Sequence, residues 1–240
     1  MRCLTPMRRW GQKAVFVLGD SQAATMTAAF EAAVAGRMSV NWVSRQACPL
    51  HADAELTLCR LNTIDVARRY RDRVNWALRT NVQAGDVVVV CALADYHFSD
   101  LTLAYYDQAL VTMLAARGAT LLLLGSIPIL AREPALCRPG NWNWNAAKAC
   151  ETEYEPARRL YHGSDVRHAW ARAEAFASSR PGVQYLQLFD YFCAPHVGAC
   201  GAVVPGTSVP AYDNQVHLSR SGSMYLGPLI CAAMTRWGLL

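Results

Sequence analysis

The chain has 240 residues, 53% hydrophobic and 17% charged, with a formal net charge of +5. That is enough for one core or at most two small domains, and the composition excludes a disordered chain. The basic residues are scattered apart from Arg68, Arg69, Arg71 and Arg73, which read as one solvated helix face, so the focused patch that nucleic acid requires is absent.

In chain order the pattern alternates strand and helix. "AVFVLG" reads as a buried strand that runs into Gly19, Asp20 and Ser21, followed by a helix over 22–35. "MSVNWV" (38–43) is a second strand. After a loop with Cys and Pro comes a helix over 63–79, whose apolar positions Val66, Tyr70, Val74 and Leu78 recur every four residues. "DVVVVCALA" (86–94) and "ATLLLLGSI" (119–127) are continuous apolar runs separated by a helix over 102–116. Periodicity fails over 128–163, which reads as an inserted loop or lid carrying "GNWNWN". A helix over 166–178, the strand "VQYLQLF" (183–189) and a closing helix from about 220 to 237, with Pro228 placed to kink it, complete the chain. Continuous apolar strands alternating with helices predict an α/β fold, a mostly parallel sheet covered on both faces. No run reaches the ~18 apolar residues of a membrane span.

Nine cysteines are many for this length. Cys48 with Cys59, Cys137 with Cys150, and Cys193 with Cys200 form three short-range couples in expected loops. Such couples suit disulfides in an oxidising compartment, with the connectivity left open. Cys91 lies in an apolar strand and reads as a buried thiol, while Cys3 and Cys231 have no evident role. Zinc is disfavoured, because no close Cys-x-x-Cys pair occurs and the histidines do not cluster. The basic start "MRCLTPMRRW" leads into a short strand and not into a signal-peptide core. Either the chain is cytoplasmic with reduced couples, or it is part of something longer; the second is the expectation.

Ligands of open α/β sheets bind beyond the carboxyl ends of the strands. Ser21, the group Asp95, Tyr96 and His97, and the loop with Asp213, Asn214 and His217 all fall there. A serine hydroxyl needs a base, and the base needs an orienting acceptor. Ser21 can be the nucleophile, His217 its base, and Asp213 or Asn214 the orienting group, with N–H groups of the first helix facing a developing oxyanion. Simpler roles stand beside these. Ser21 or Asp20 can merely cap the helix, and "HLSRSG" can be an ordinary helix start with Ser219 as cap. The glycines and Lys of a phosphate loop, a dinucleotide fingerprint and a G-x-S-x-G elbow are all missing.

"GDSQ" after the first strand and "DNQVHLS" before the last helix resemble the end blocks of the SGNH/GDSL hydrolase superfamily. With "ACPL" (47–50), "SIPI" (126–129) and the Cys193/Cys200 couple, the chain resembles over roughly residues 14–235 the SGNH domain attached to membrane-bound acyltransferase-3 proteins. The resemblance implies a three-layer α/β/α sandwich, flavodoxin-like, as a single domain over 1–240. It implies Ser21 as nucleophile and His217 as base. The family's acid stands three residues before the histidine, where this chain has Asn214, with Asp213 one step further out. The residue after the serine is commonly His and here is Gln22; the Asn of the third block has no counterpart in "ALADYHF"; Ser44 stands near the place of the middle Gly.

The implied function is acyl transfer through a serine acyl-enzyme, with O-acetylation of a surface polysaccharide or lipopolysaccharide sugar hydroxyl as the leading expectation. A carbohydrate acetylesterase is the alternative among enzymes. A non-catalytic carbohydrate-binding domain, with Trp142 and Trp144 stacking on sugars, is the alternative outside them. Expected partners are a carbohydrate acceptor, an acyl donor and a membrane-bound acyltransferase domain absent from this chain. No cofactor or metal is expected, and the location implied is periplasmic or otherwise extracytoplasmic.

Overall fold

Five apolar segments build one parallel sheet in the computed structural model, which describes residues 11–44, 64–92, 98–130, 152–153, 166–194, 199–207 and 209–240. The elements are β1 (Ala14–Gly19), α1 (Ser21–Thr25), α2 (Thr27–Val34), β2 (Ser39–Ser44), α3 (Ile64–Asn81), β3 (Val87–Cys91), α4 (Asp100–Tyr106), α5 (Thr112–Ala115) and β4 (Thr120–Leu124). Then come β5 (Thr152–Glu153), α6 (Val166–Ser178), β6 (Val183–Leu186), β7 (Cys193–Ala194), β8 (Ala199–Cys200) and α7 (Arg220–Arg236).

The sheet order is β2-β1-β3-β4-β6, every neighbouring pair parallel. Side chains alternate across it. Phe16, Leu18, Val88, Val90, Leu121 and Leu123 face a core with Tyr70, Val74 and Leu78 of α3, Leu114 of α5 and Ala173 of α6. Val15, Val17, Val87, Val89, Leu122 and Leu124 face the other core, with Phe30 of α2 and Leu226, Ile230 and Met234 of α7. Both faces are dry, which is why these strands read as unbroken apolar runs. The three-layer α/β/α expectation is met.

Where the turn "QAGD" leads into β3, Asp86 is 1% exposed. Its carboxylate accepts from Ala14 N–H and Gln83 N–H, both at 2.8 Å, tying β1 to the base of β3.

Several expected boundaries shift. The single helix over 22–35 is two helices, and the first begins at Ser21. Two hydrogen bonds accompany the break at Met26, one local and one from the far end of the chain. Thr25 Oγ1 donates back to Gln22 O at 2.9 Å, and the Ala29 N–H leaves the helical ladder for Ser223 Oγ of α7 at 2.9 Å. The helix over 102–116 starts earlier and contains a π-turn at Asp107–Val111, beside which Asp107 accepts two hydrogen bonds from Arg180 at 2.7 and 2.9 Å. The strand expected over 183–189 ends at Leu186. The closing helix is continuous through Pro228.

A second, three-stranded sheet, β5-β8-β7, was not anticipated. Cys193 and Cys200 stand opposite each other in it and form a disulfide. Cys91 is buried and free, as expected, and Cys231 is free and partly buried. Cys3 and the other two couples lie outside the described residues, as does most of the stretch 128–163. No helix among the described residues is long and apolar enough to cross a membrane.

Candidate active site

The chain passes from β1 to the edge strand β2 and returns on the other side of β1 as β3, so a crevice opens beyond the end of β1. The turn there depends on Gly19. Its φ is +146°, and a Cβ on it would come within 1.9 Å of the Cys91 carbonyl oxygen. Only a residue without a side chain lets β1 turn while pressed against β3. Gly19→Ala is therefore expected to cost about 3 kcal/mol and lower Tm by roughly 6–12 °C. An unchanged thermal denaturation curve would refute the contact.

Asp20, not Ser21, is the helix cap. It is 4% exposed, and its Oδ1 accepts from the Gln22 N–H at 2.8 Å. This frees the Ser21 hydroxyl from capping. It also engages the Gln22 N–H, one of the groups expected to face an oxyanion. From α3, the Tyr70 hydroxyl lies within hydrogen-bond distance of Gly19 O at 2.9 Å and Val43 O at 3.2 Å, tying α3 to the ends of β1 and β2.

The loop from Ala211 to Ser219 closes as a tight hairpin. Tyr212 bridges Leu218, Asp213 N–H donates to His217 O at 2.9 Å, and Ser219 N–H donates to Ala211 O at 2.9 Å. Ser219 caps α7 by accepting from Gly222 N–H at 3.1 Å. Gly222 lets the helix lie on the loop, since a Cβ there would meet Ala211 O at 2.0 Å.

These two segments meet. Ser21 Oγ and His217 Nε2 are 2.7 Å apart. His217 Nδ1 is 3.0 Å from Asn214 Oδ1. That same oxygen accepts the backbone N–H groups of Val216 and His217, each at 3.0 Å. Backbone amides can only donate, so the Asn214 atom facing the imidazole is its acceptor. His217 Nδ1 must then carry the proton, and Nε2 presents its lone pair to the serine hydroxyl. The Asp213 side chain is exposed, and among the described residues it makes no hydrogen bond to the imidazole. It acts on His217 only through its charge.

Burial pushes the His217 pKa below its ordinary value, against a smaller upward pull from the Asp213 carboxylate. The imidazole is thereby kept in the neutral form that can accept a proton. Burial, with the charge of Asp20, pushes the Cys91 thiol well up, so it is no rival nucleophile. A cavity of about 10 Å³ lies beside Gln22, bounded by Met26, Cys91 and Ser126; Ser21 does not line it. Among the described residues no cluster of His, Cys, Asp or Glu could hold a metal ion. Asp95, Tyr96 and His97 lie outside the described residues.

Two contacts of the site escaped the sequence. The Gln22 side-chain Nε2 donates to Val216 O, and Leu130 N–H donates to Gln215 O at 2.9 Å. The one visible hint was a polar Gln inside an otherwise small and apolar helix start.

A hydroxyl and an imidazole meeting at the switch point of a parallel sheet is the layout of an α/β domain of the serine-hydrolase kind. The chain belongs to the family of SGNH domains fused to AT3 domains, whose model matches residues 1–231. Two solved structures share the fold. The periplasmic domain of a lipopolysaccharide acetyltransferase from Salmonella ser. Paratyphi A is 13% identical, with a TM-score of 0.63 over 95% of this chain and 85% of that one. Est24, a carbohydrate acetylesterase from Sinorhizobium meliloti, is also 13% identical, with a TM-score of 0.54 over 94% of this chain and 100% of that one. No curated protein sequence matches the chain.

Proposed function

We propose that this domain transfers an acyl group through an ester on Ser21, with His217 as general base and acid and Asn214 as the group that orients it. The observation that carries this is the continuous contact from Ser21 Oγ to His217 Nε2 and from His217 Nδ1 to Asn214 Oδ1. Ser21 Oγ attacks the donor carbonyl carbon as its proton passes to Nε2. The tetrahedral adduct then breaks its bond to the leaving group, which takes that proton. An acceptor hydroxyl next gives its proton to Nε2 and bonds to the acyl carbon, and Ser21 leaves with the proton. Asn214 cannot offset the imidazolium charge as a carboxylate would, but it fixes the ring and its tautomer.

The acceptor in this reading is a sugar hydroxyl of a surface polysaccharide or lipopolysaccharide, and the acyl group is acetyl. The family's fusion to AT3 domains supports a membrane-bound acyltransferase domain as the source of the acyl group, and an extracytoplasmic location. The Cys193–Cys200 disulfide fits that location. Water in place of the sugar makes the same residues a carbohydrate acetylesterase. Asp213 contributes background charge and no contact to the imidazole.

The test is labelling by a sulfonyl fluoride, with turnover of an activated acetyl ester. One adduct on Ser21 and Ser21-dependent turnover are expected, both lost in Ser21→Ala. Wild-type protein that neither labels nor turns over, even with the membrane partner and acyl donor supplied, would remove the reading. Adding a sugar acceptor separates the two chemistries: acetylated sugar marks a transferase, free acetate alone an esterase.

A further inference from the structure

We propose that Gln22 is a positioning residue, which sets the aim of His217 by holding the peptide unit that enters it. The inference rests on the roles assigned above to Ser21 and His217. The side chain of Gln22 is 4% exposed, and its Nε2 donates to the Val216 carbonyl across 194 residues of chain. Its own backbone is fixed on both sides: its N–H is bound by Asp20 Oδ1, and its carbonyl accepts from Met26 N–H at 3.1 Å and Thr25 Oγ1 at 2.9 Å. The amide is therefore offered from a rigid base.

The Val216 carbonyl and the His217 N–H belong to one planar peptide unit. Gln22 holds its oxygen, and Asn214 Oδ1 holds its N–H at 3.0 Å. A peptide plane gripped at both ends resists rotation about its flanking Cα atoms. That rotation changes φ of His217 and so tilts the Cα–Cβ bond from which the imidazole is aimed. Because Gln22 follows Ser21 and Val216 precedes His217, the grip is also a second link between the same two segments, one residue along from the reacting pair. The loop is thus referenced directly to the helix that carries the nucleophile. Losing the grip degrades the Ser21–His217 geometry, on which proton transfer depends, so the defect is expected in kcat and in the labelling rate.

The experiment compares Gln22→Met, which keeps the side chain's length without its donor, with Gln22→His, which keeps an N–H donor at similar reach. The readouts are kcat and KM for an activated acetyl ester, the rate of Ser21 labelling by a sulfonyl fluoride, and Tm. Gln22→Met is expected to lower kcat and the labelling rate roughly 10- to 100-fold with KM within about twofold of wild type. Gln22→His is expected to recover most of that loss, even if its Tm is no higher. Wild-type kcat in Gln22→Met, a defect confined to KM, or equal defects in both variants would overturn the proposal. Should Gln22→Met fail to fold, a folded Gln22→His with less than a tenth of wild-type kcat would overturn it, and near wild-type kcat would support it. If wild-type protein lacks Ser21-dependent labelling and turnover, the catalytic assignment itself falls. If wild type is active and Gln22→Met matches it, only the role of Gln22 falls.

Discussion

Replacing His217 with alanine is expected to slow both Ser21 labelling and ester turnover by roughly 10³- to 10⁶-fold while the protein stays folded. The magnitude follows from what the imidazole does. With Nδ1 protonated, Nε2 is the acceptor for the Ser21 proton at 2.7 Å, and an unassisted hydroxyl is a poor nucleophile at neutral pH. The fold should survive. The ring is only partly buried, and the loop's backbone bonds, Asp213 to His217 and Ser219 to Ala211, do not need it. A circular dichroism spectrum and Tm close to wild type, with labelling followed by intact mass, make the check. Turnover unchanged in His217→Ala would refute its role, and a double variant with Ser21→Ala should be no worse than either single one, since the two act as a unit.

The second large effect is at Asn214. Its Oδ1 takes three N–H groups, two from the backbone and one from the imidazole. Asn214→Ala removes the one acceptor of all three bonds at once, so the loop loosens and the imidazole loses its fixed tautomer. A rate loss of roughly 10²- to 10⁴-fold is expected. Asn214→Asp keeps the acceptors and adds a charge, and its signature is in pH. In the proposed reaction the neutral imidazole is the active form, and burial holds its pKa below the ordinary value. The labelling rate should be level at neutral pH and above, and should fall as pH drops through that lowered pKa. A carboxylate at position 214 stabilises the imidazolium, so the inflection should move to higher pH and the upper plateau should rise. Asp213→Ala removes a charge that pulls the pKa up, so its inflection should move to lower pH with the plateau nearly unchanged. A pH–rate profile for Asn214→Asp that overlays wild type would show that Asn214 does not act on the ring. A collapse of the plateau in Asp213→Ala would return the orienting role to Asp213.

The sheet was legible because burial on both faces writes itself into composition: Val87 to Cys91 and Leu121 to Leu124 admit no polar residue. The convergence of Ser21 and His217 was legible because strand ends share one edge of a parallel sheet. Apolar periodicity reports which side of an element is dry, and it says nothing of where a particular N–H or hydroxyl finds its partner. Hence the break at Met26, beside which the Ala29 N–H turns to Ser223 from the far end of the chain, could not be read, nor could the π-turn beside Arg180. The small second sheet has strands of two residues, too short to show any period. Whether Asp213 or Asn214 lies against the imidazole turns on one residue of hairpin register; the hairpin closed by the Tyr212–Leu218 bridge puts Asn214 Oδ1 there, and composition does not report register. Asp20 as cap was among the options; that it releases the neighbouring hydroxyl required coordinates.

The hairpin before α7 has a further anchor, where the Leu130 N–H meets the Gln215 carbonyl. Leu130 itself is 2% exposed, so that anchor is sunk in the protein's interior. The ordering entropy of the reactive loop is therefore spent once, as the chain folds, and need not be met again at each encounter with a substrate. In the proposed reaction an incoming acyl donor would find Ser21, His217 and Asn214 already in contact.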